Sequence, residues 1–277
     1  MNDINKAVER LNGTTRKHIS HIDYATALGL QARIALVMED WATAKKSSEE
    51  AIAVSKCTIA KVSEFKGLNS VSAPNVMWGA EIISDQSGMY AGLFTHMDAD
   101  ADKYGAKARK QINKDLYGKM GTEDERLVWW NPKDANNKDG GYQQEKFKFS
   151  DIQTWMGDYV WMRIEEMYLI AAEASVRLNK GDAAKYINVL RTRAGAGTVS
   201  ESQVDLNYVF DEYARELCGE CGRWYLLKRN AAFETRLAAY NKRAAEHFKK
   251  EFYLRPIPTK YLDAINNPAE FGQNAGY

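Results

Sequence analysis

The stretch WMRIEEMYLIAAEASVRLNKGDAAKYINVLRTRAGAG, residues 161–197, decides the fold. Apolar and small side chains recur along it at spacings of three and four, the period of a helix with one buried face. The pattern is interrupted once, at Lys180, Gly181 and Asp182, where glycine suits a left-handed helix end and aspartate a following N-cap. Gly195 and Gly197 then close the second helix. Two antiparallel helices joined by a tight turn are predicted.

A related pattern lies upstream in DYATALGLQARIALVMEDWATAKKSSEEAIAV, residues 23–54. Leu28 lines up with Tyr168, Ala32 with Ala172, Met38 with Leu178 and Ala44 with Ala184. Ala32, Ala35, Ala44 and Ala51 stand where a tetratricopeptide-type hairpin needs small residues, because closely approaching helices leave no room for longer ones. Two related hairpins predict an all-α fold: an α-superhelix of tetratricopeptide-like hairpins, with a long irregular loop-rich insertion and little β structure. One domain is expected over 1–277, with a hairpin at 20–55, the insertion at 56–158 and a helical C-terminal region at 159–277.

Within that last region, residues 206–229 read as one amphipathic helix, because Leu206, Val209, Phe210, Tyr213, Leu217, Cys221, Trp224 and Leu227 repeat at three and four. Another helix is predicted from Ala231 to about Lys250. FYLRPIPTKYL is extended around Pro256 and Pro258, and the tail NNPAEFGQNAGY is irregular.

Composition removes several function classes. With 38 Lys and Arg against 37 Asp and Glu the formal charge is +1, so nothing global attracts nucleic acid or an anionic membrane. No apolar run reaches the roughly 18 residues of a membrane span, and the polar N-terminus lacks the core of an export signal. Three cysteines cannot build a disulfide framework.

The insertion is the informative part. It is rich in Gly, Asn, Asp and aromatics and holds Trp78, Trp129, Trp130 and Trp155; long irregular segments in compact proteins tend to carry function. Indole faces stack on the C–H faces of sugars while nearby amides and ammonium groups bond the hydroxyls. Trp78, Tyr90, Trp129, Trp130, Asn131 and Lys133 are the candidate ligand residues on this reasoning. The alternative for each ring is packing beneath a loop.

Two other features invite chemistry. Cys218 and Cys221 in LCGECGRW have the spacing of a redox dithiol or half a zinc site, but a helical pattern runs through both, and a core role for Cys221 is the simpler reading. His18 and His21 are the only candidates to complete a zinc set, from the far end of the chain. Asp124 and Glu125 could serve a glycosidase beside Trp129 and Trp130, against a solvated-loop reading.

The C-terminal half also resembles the SusD/RagB family of surface nutrient-binding lipoproteins of Bacteroidetes. RIEEMYLIAAEA (163–174) resembles its R-x-x-E-x-Y-L-I-x-A-E-A helix, INVLRTRAG (187–195) its N-x-x-R-x-R-A-G turn, and DEYARELCGECGRWYLLKR (211–229) its E-R-x-x-E-L-x-x-E-G-x-R-W-x-D-L-x-R helix. LRPIP (254–258) and QNAGY (273–277) stand where members carry P-I-P and a terminal Q-N-P-G-Y. Tyr213, Cys221, Leu226 and Ala275 depart from those patterns. The hairpin at 23–54 and WGAEIISDQSGMYAGLFTHMD extend the likeness upstream, while the family's N-terminal part, with its export signal, lipidated cysteine and first repeat, finds no counterpart; a trimmed or shortened member is expected.

The resemblance implies a non-enzymatic binding protein at the cell outer membrane, surface-exposed, with no catalytic residues, metal or cofactor. Its membrane attachment would be only through a lipid anchor absent from this chain. It would capture an oligosaccharide or other nutrient and pass it to a SusC-like TonB-dependent transporter. A tetratricopeptide-type protein-binding scaffold and a glycan-degrading enzyme are the alternatives.

Overall fold

A computed structural model describes residues 1–65, 67–87, 92–102, 104–131, 141–220, 222–265 and 270–277. The chain divides into two compact units, Met1–Arg223 and Trp224–Tyr277.

The first unit begins with α1 (Asn2–Leu11), α2 (Tyr24–Val37) and α3 (Trp41–Val54). Asp23 and Asp40 cap α2 and α3, accepting from the amides of Thr26 and Thr43 at 2.8 and 3.0 Å, bonds worth about 1 kcal/mol each. Ala32, Ala35, Ala44 and Ala51 are completely buried between the helices, as the hairpin pattern requires. The second hairpin is α7 (Ile164–Arg177) and α8 (Ala183–Arg193), with α9 (Leu206–Glu216) following. Gly181 turns between them at φ 69°. Asp182 does not cap α8 with its side chain; its carboxylate accepts from Lys45 at 2.9 Å, and the carboxylate of Glu201 takes the Ala183 and Ala184 amides instead.

Between the hairpins, the irregular segment is built from short pieces: β1 (Val76–Ala80), α4 (Leu93–Met97), α5 (Tyr104–Lys107), β2 (Gln111–Asn113), α6 (Lys114–Tyr117), β3 (Trp130–Asn131), β4 (Gly141–Gln144) and β5 (Tyr159–Arg163). β1 pairs with β5 antiparallel, and β2–β4–β3 form a three-stranded antiparallel sheet. The fold is all-α in class with little β structure.

A buried ionic cluster ties this segment to the helices. Arg126 grips Asp124 through Nε and Nη2 at 2.9 and 2.8 Å, and reaches Glu212 at 2.7 Å and Glu216 at 3.1 Å. Arg163, at the end of β5, holds Glu165, Glu216 and Glu220, while Arg193 from α8 meets Glu216 at 2.5 Å. The Lys146 ammonium donates to Glu220 at 2.5 Å and to the main-chain carbonyl of Glu216 at 2.7 Å. Glu212, Glu216 and Glu220 are each matched by a cation in hydrogen-bond contact, the condition under which burial is tolerated. Glu165 instead faces Arg163 at 2.9 Å without a hydrogen bond from it and takes one from the Asn75 side chain.

That cluster corrects the expectation of one helix over 206–229. α9 ends at Glu216, and α10 (Arg223–Arg229) starts after a break. The Glu216 carbonyl is bonded to Lys146 and also to Arg163 at 3.3 Å, and Gly219 takes φ 79° with the Phe147 ring packed where a Cβ would lie. Cations from distant sequence thus satisfy the carbonyl end of α9, and the chain turns on glycine. Cys221 lies outside the described residues.

In the second unit α10 is followed by α11 (Phe233–Tyr240), α12 (Lys242–His247) and α13 (Thr259–Ile265). The helix expected from Ala231 to Lys250 is divided at Asn241, whose side chain accepts the Ala244 amide as a new N-cap. Phe233 is the centre of an aromatic cluster with Trp224, Phe248 and Tyr253 at centroid distances of 4.7, 5.4 and 5.1 Å. The two terminal motifs meet: Gln273 accepts the Ile257 amide at 2.7 Å and donates to its carbonyl at 2.8 Å, Asn274 donates to the Arg255 carbonyl, and Tyr277 to that of Leu254. A side-chain amide on both main-chain groups of Ile257 substitutes for a strand partner.

Candidate functional site

The β1–β5 ribbon carries one aromatic surface. Gly79 allows the strands to close, since a Cβ there would lie 2.5 Å from the Tyr159 carbonyl oxygen. Trp78 and Trp161 meet edge to face at 4.7 Å between centroids, with the Trp78 Nε1 donating to the Ser20 carbonyl at 3.0 Å. Trp161 is 43% exposed. Arg33 fixes the strand from below, donating to the Trp161 carbonyl at 2.7 Å and pairing with Glu166. His18 sits between Ser20 Oγ at 2.8 Å and Glu81 Oε2 at 3.0 Å. These exposed polar groups flank the indoles.

Next to the ribbon, Asp158 acts as a clamp. One carboxylate oxygen accepts from the Val71 amide and the other from that of Ile82, both at 2.9 Å, while the Asp158 amide donates to the Asn69 carbonyl. Ile82, Gln86 and Ser87 then border a shallow groove with Trp155 and Tyr159, over Phe94 and Phe149, whose enclosed part is only about 10 Å³. Phe94 packs against Phe149 and Tyr159 at 5.6 and 6.1 Å. Gly157 lies against the same ring, with room for no Cβ.

Trp155 stands half-buried on a tight turn at φ 57°, a left-handed conformation that costs a bulky residue roughly 1–2 kcal/mol. The turn holds it there. Asp151 accepts from the Gln153 amide at 2.9 Å and the Thr154 hydroxyl at 2.6 Å, and Asp151 and Met156 exchange main-chain bonds. These hydrogen bonds to Asp151 hold its carboxyl below the usual aspartate range. Strain that the surroundings over-determine, on an aromatic residue at a groove, is the signature of a positioned side chain.

The sequence candidates separate in the structure. Trp78 is half-buried, packing edge to face under the exposed Trp161 and against the core. Trp129 and Trp130 are buried, at 2% and 4% exposure: Trp129 packs on Phe65 at 5.0 Å with the Lys146 ammonium 4.7 Å from its ring centre. Neither ring offers a face to a ligand, so the packing reading applies to both, and they are corrected as site residues. Asn131 is half-buried at the end of β3. Tyr90 and Lys133 lie outside the described residues.

Sequence reasoning does not single out Trp155 or Trp161 as ligand residues. The D-x-x-T spacing before Trp155 is the available signal for its turn; Trp161 reads as the start of a helical pattern but belongs to a strand.

One residue of each of the catalytic and redox pairs is committed elsewhere, while Glu125 is exposed and Cys221 lies outside the described residues. Asp124 is buried, caps the Arg126 amide and is gripped by that guanidinium, so it has no free carboxylate for acid–base work. Burial pushes the Cys218 thiol up to about 11, which keeps it protonated and unreactive at neutral pH. Among the described residues no group of three or more His, Cys, Asp or Glu could hold a metal ion, and no helix is long and apolar enough to cross a membrane.

Residues 130–277 match the SusD family, more than half of the chain. The chain belongs to the SusD family. A curated relative, SusD-like protein P2 of Formosa agariphila, is 30% identical over 133 residues, 43% of this chain and 26% of that protein. A SusD-like carbohydrate-binding protein from Bacteroides vulgatus superposes with TM-score 0.70 at 27% identity, over 83% of this chain and 50% of that one. Surface glycan-binding protein A of Bacteroides thetaiotaomicron, solved with laminarihexaose, shares the fold at TM-score 0.72 and 18% identity, over 98% of this chain and 70% of that one. The chain thus spans about a quarter of the curated relative's length and half of the B. vulgatus protein's.

Proposed function

We propose that this chain binds an oligosaccharide without cleaving it, as part of a surface protein that delivers the glycan to a TonB-dependent transporter of the outer membrane. The carrying observation is Trp155, held in a strained turn beside Tyr159, Gln86 and Ser87, together with the exposed Trp161 backed by the half-buried Trp78. Ring faces for the apolar side of a pyranose and side-chain amide, hydroxyl and carboxylate groups for its hydroxyls are what sugar recognition needs. The groove is shallow, so affinity rests on a few stacked rings and stays modest once the glycan's ordering entropy is subtracted. The carbohydrate-binding description of the B. vulgatus protein and the laminarihexaose complex of the B. thetaiotaomicron protein support this ligand class. Location at the cell surface and a SusC-like partner belong to the same proposal.

Calorimetric titration of a neutral glycan panel, laminarihexaose included, tests it with the intact chain, Trp155→Ala and Trp161→Ala, alongside an assay for released reducing sugar. Heat of binding that is lost in the variants, with no sugar released, is expected. Released sugar would establish an enzyme, and the absence of binding to every glycan would leave the protein-binding scaffold.

A further inference from the structure

A cleft of about 360 Å³ opens elsewhere in the first unit, sharing no residue with the groove or the indole pair. Residues 13–16 after α1, 23–25 at the start of α2, 54–57 at the end of α3, and Met77 line it. Its size is in the range of small-molecule sites.

The cleft has a defined electrostatic character. Arg16 is partly committed: Nη1 donates to the Met77 carbonyl at 2.6 Å and to Thr26 Oγ1 at 3.3 Å, and Nε faces Asp23 Oδ2 at 3.2 Å. That leaves Nη2 without a partner among the described residues. Asp23 is occupied by Arg16 and by the amide and hydroxyl of Thr26 at 2.8 and 2.7 Å. Lys56 is exposed at the cleft and makes no ion pair or hydrogen bond among the described residues. Two cations against one carboxylate leave an excess of a single positive charge. The Thr15 hydroxyl adds polar capacity, and the exposed Val54 side chain adds apolar wall.

We propose that this cleft is a second binding site, for a small hydroxylated carboxylate of the uronate type. Its carboxylate lies between Arg16 Nη2 and the Lys56 ammonium, its hydroxyls meet Thr15 and Ser55, and its apolar ring face rests on Val54. The excess of one charge matches a monoanion. A dianion such as phosphate would bring a second negative charge close to Asp23 with no third cation to meet it. Charge-assisted bonds supply most of the discrimination against a neutral sugar.

Amide chemical-shift titrations of the whole chain with glucuronate, glucose and inorganic phosphate test the site. Glucuronate is expected to shift Thr15, Tyr24 and Lys56, with glucose and phosphate markedly weaker. Lys56→Gln, an exposed change with no packing role, should weaken glucuronate about ten-fold, the loss of one charge-assisted bond. Arg16→Gln should weaken it further, with a thermal melt run beside it because Arg16 also braces Met77. Trp155→Ala should leave glucuronate binding unchanged, which separates this site from the groove proposed for neutral glycans. The proposal is overturned by equal binding of glucose and glucuronate, by phosphate binding as tightly as glucuronate, by no binding, or by an unaltered Lys56→Gln variant.

Discussion

The ammonium of Lys146, in the irregular segment, donates at 2.7 Å to the main-chain carbonyl of Glu216 in the last turn of α9. Helix ends need partners for their carbonyls, and here a side chain 70 positions upstream supplies one. Burial pushes the Lys146 ammonium below the usual lysine range, and the neighbouring Glu220 and Glu216 carboxylates work against that shift. Lys146→Met should therefore cost about 3–5 kcal/mol, because it strands Glu220 and a helix carbonyl together. Urea unfolding of the variant checks the size.

The same cluster sets the acid limit of the fold. Burial alone would raise the carboxyls of Glu212, Glu216 and Glu220, but Arg126, Arg163, Arg193, Arg215 and Lys146 override it and hold all three below their ordinary value of 4.5. The unfolded chain then takes up more protons than the folded one as pH drops, so stability is present above about pH 4.5 and is lost as pH falls through the folded values. Glu165, raised chiefly by burial, contributes with the opposite sign. Melting temperatures between pH 7 and pH 3 should fall only in the lower part of that range, and a flat profile would contradict the three depressed carboxyls.

Gly219→Ala should destabilise the turn after α9. Its φ of 79° costs a side-chain-bearing residue about 1–2 kcal/mol, and the added Cβ would sit 2.6 Å from Phe147 Cε2. Gly222, where an added Cβ would meet nothing within 4 Å, provides the matched control: Gly222→Ala should be nearly silent in the same melt.

For Trp155 the order of two replacements is informative. Trp155→Gly should be more stable than Trp155→Ala by roughly 1 kcal/mol, since only glycine relieves the left-handed backbone. Both should lose glycan binding. Equal stability of the two would mean that the turn is not strained.

Gln273→Ala should release the segment that its side chain pins. Loss of the bonds to Ile257 and to the Asn274 amide is worth about 2 kcal/mol locally. Hydrogen exchange at the Ile257 amide should accelerate while the α7 amides keep their protection.

How far the sequence carries the structure depends on where each cause lies. Both hairpins are legible because the buried alanines and the Gly181 turn are local to the helices they join. The break after Glu216 is not, since its cause is Lys146 and Arg163, and the helical phase of Leu217 and Trp224 runs across it unchanged. The burial of Trp129 and Trp130 is hidden for the same reason: WWN looks alike in a binding loop and over a buried lysine. Trp78 stands out in the sequence but is half-buried in the structure, and its exposed partner Trp161 precedes a strong helical pattern that claims it. LRPIP and QNAGY are visible in the sequence only as two separate motifs, because the bonds of Gln273 to Ile257 that join them span 16 positions.

Asp158 has a further consequence. A single carboxylate secures the Val71 and Ile82 amides on either side of β1, so the fastening of the groove's border does not involve the side chains proposed to meet a ligand. Gln86, Ser87 and Trp155 can change identity while the fastening stays intact. A grafting experiment follows naturally from this division: the side chains at 86, 87 and 155 are exchanged for those of another relative, leaving the Asp151–Thr154 turn and Asp158 in place, and a redirected specificity is read.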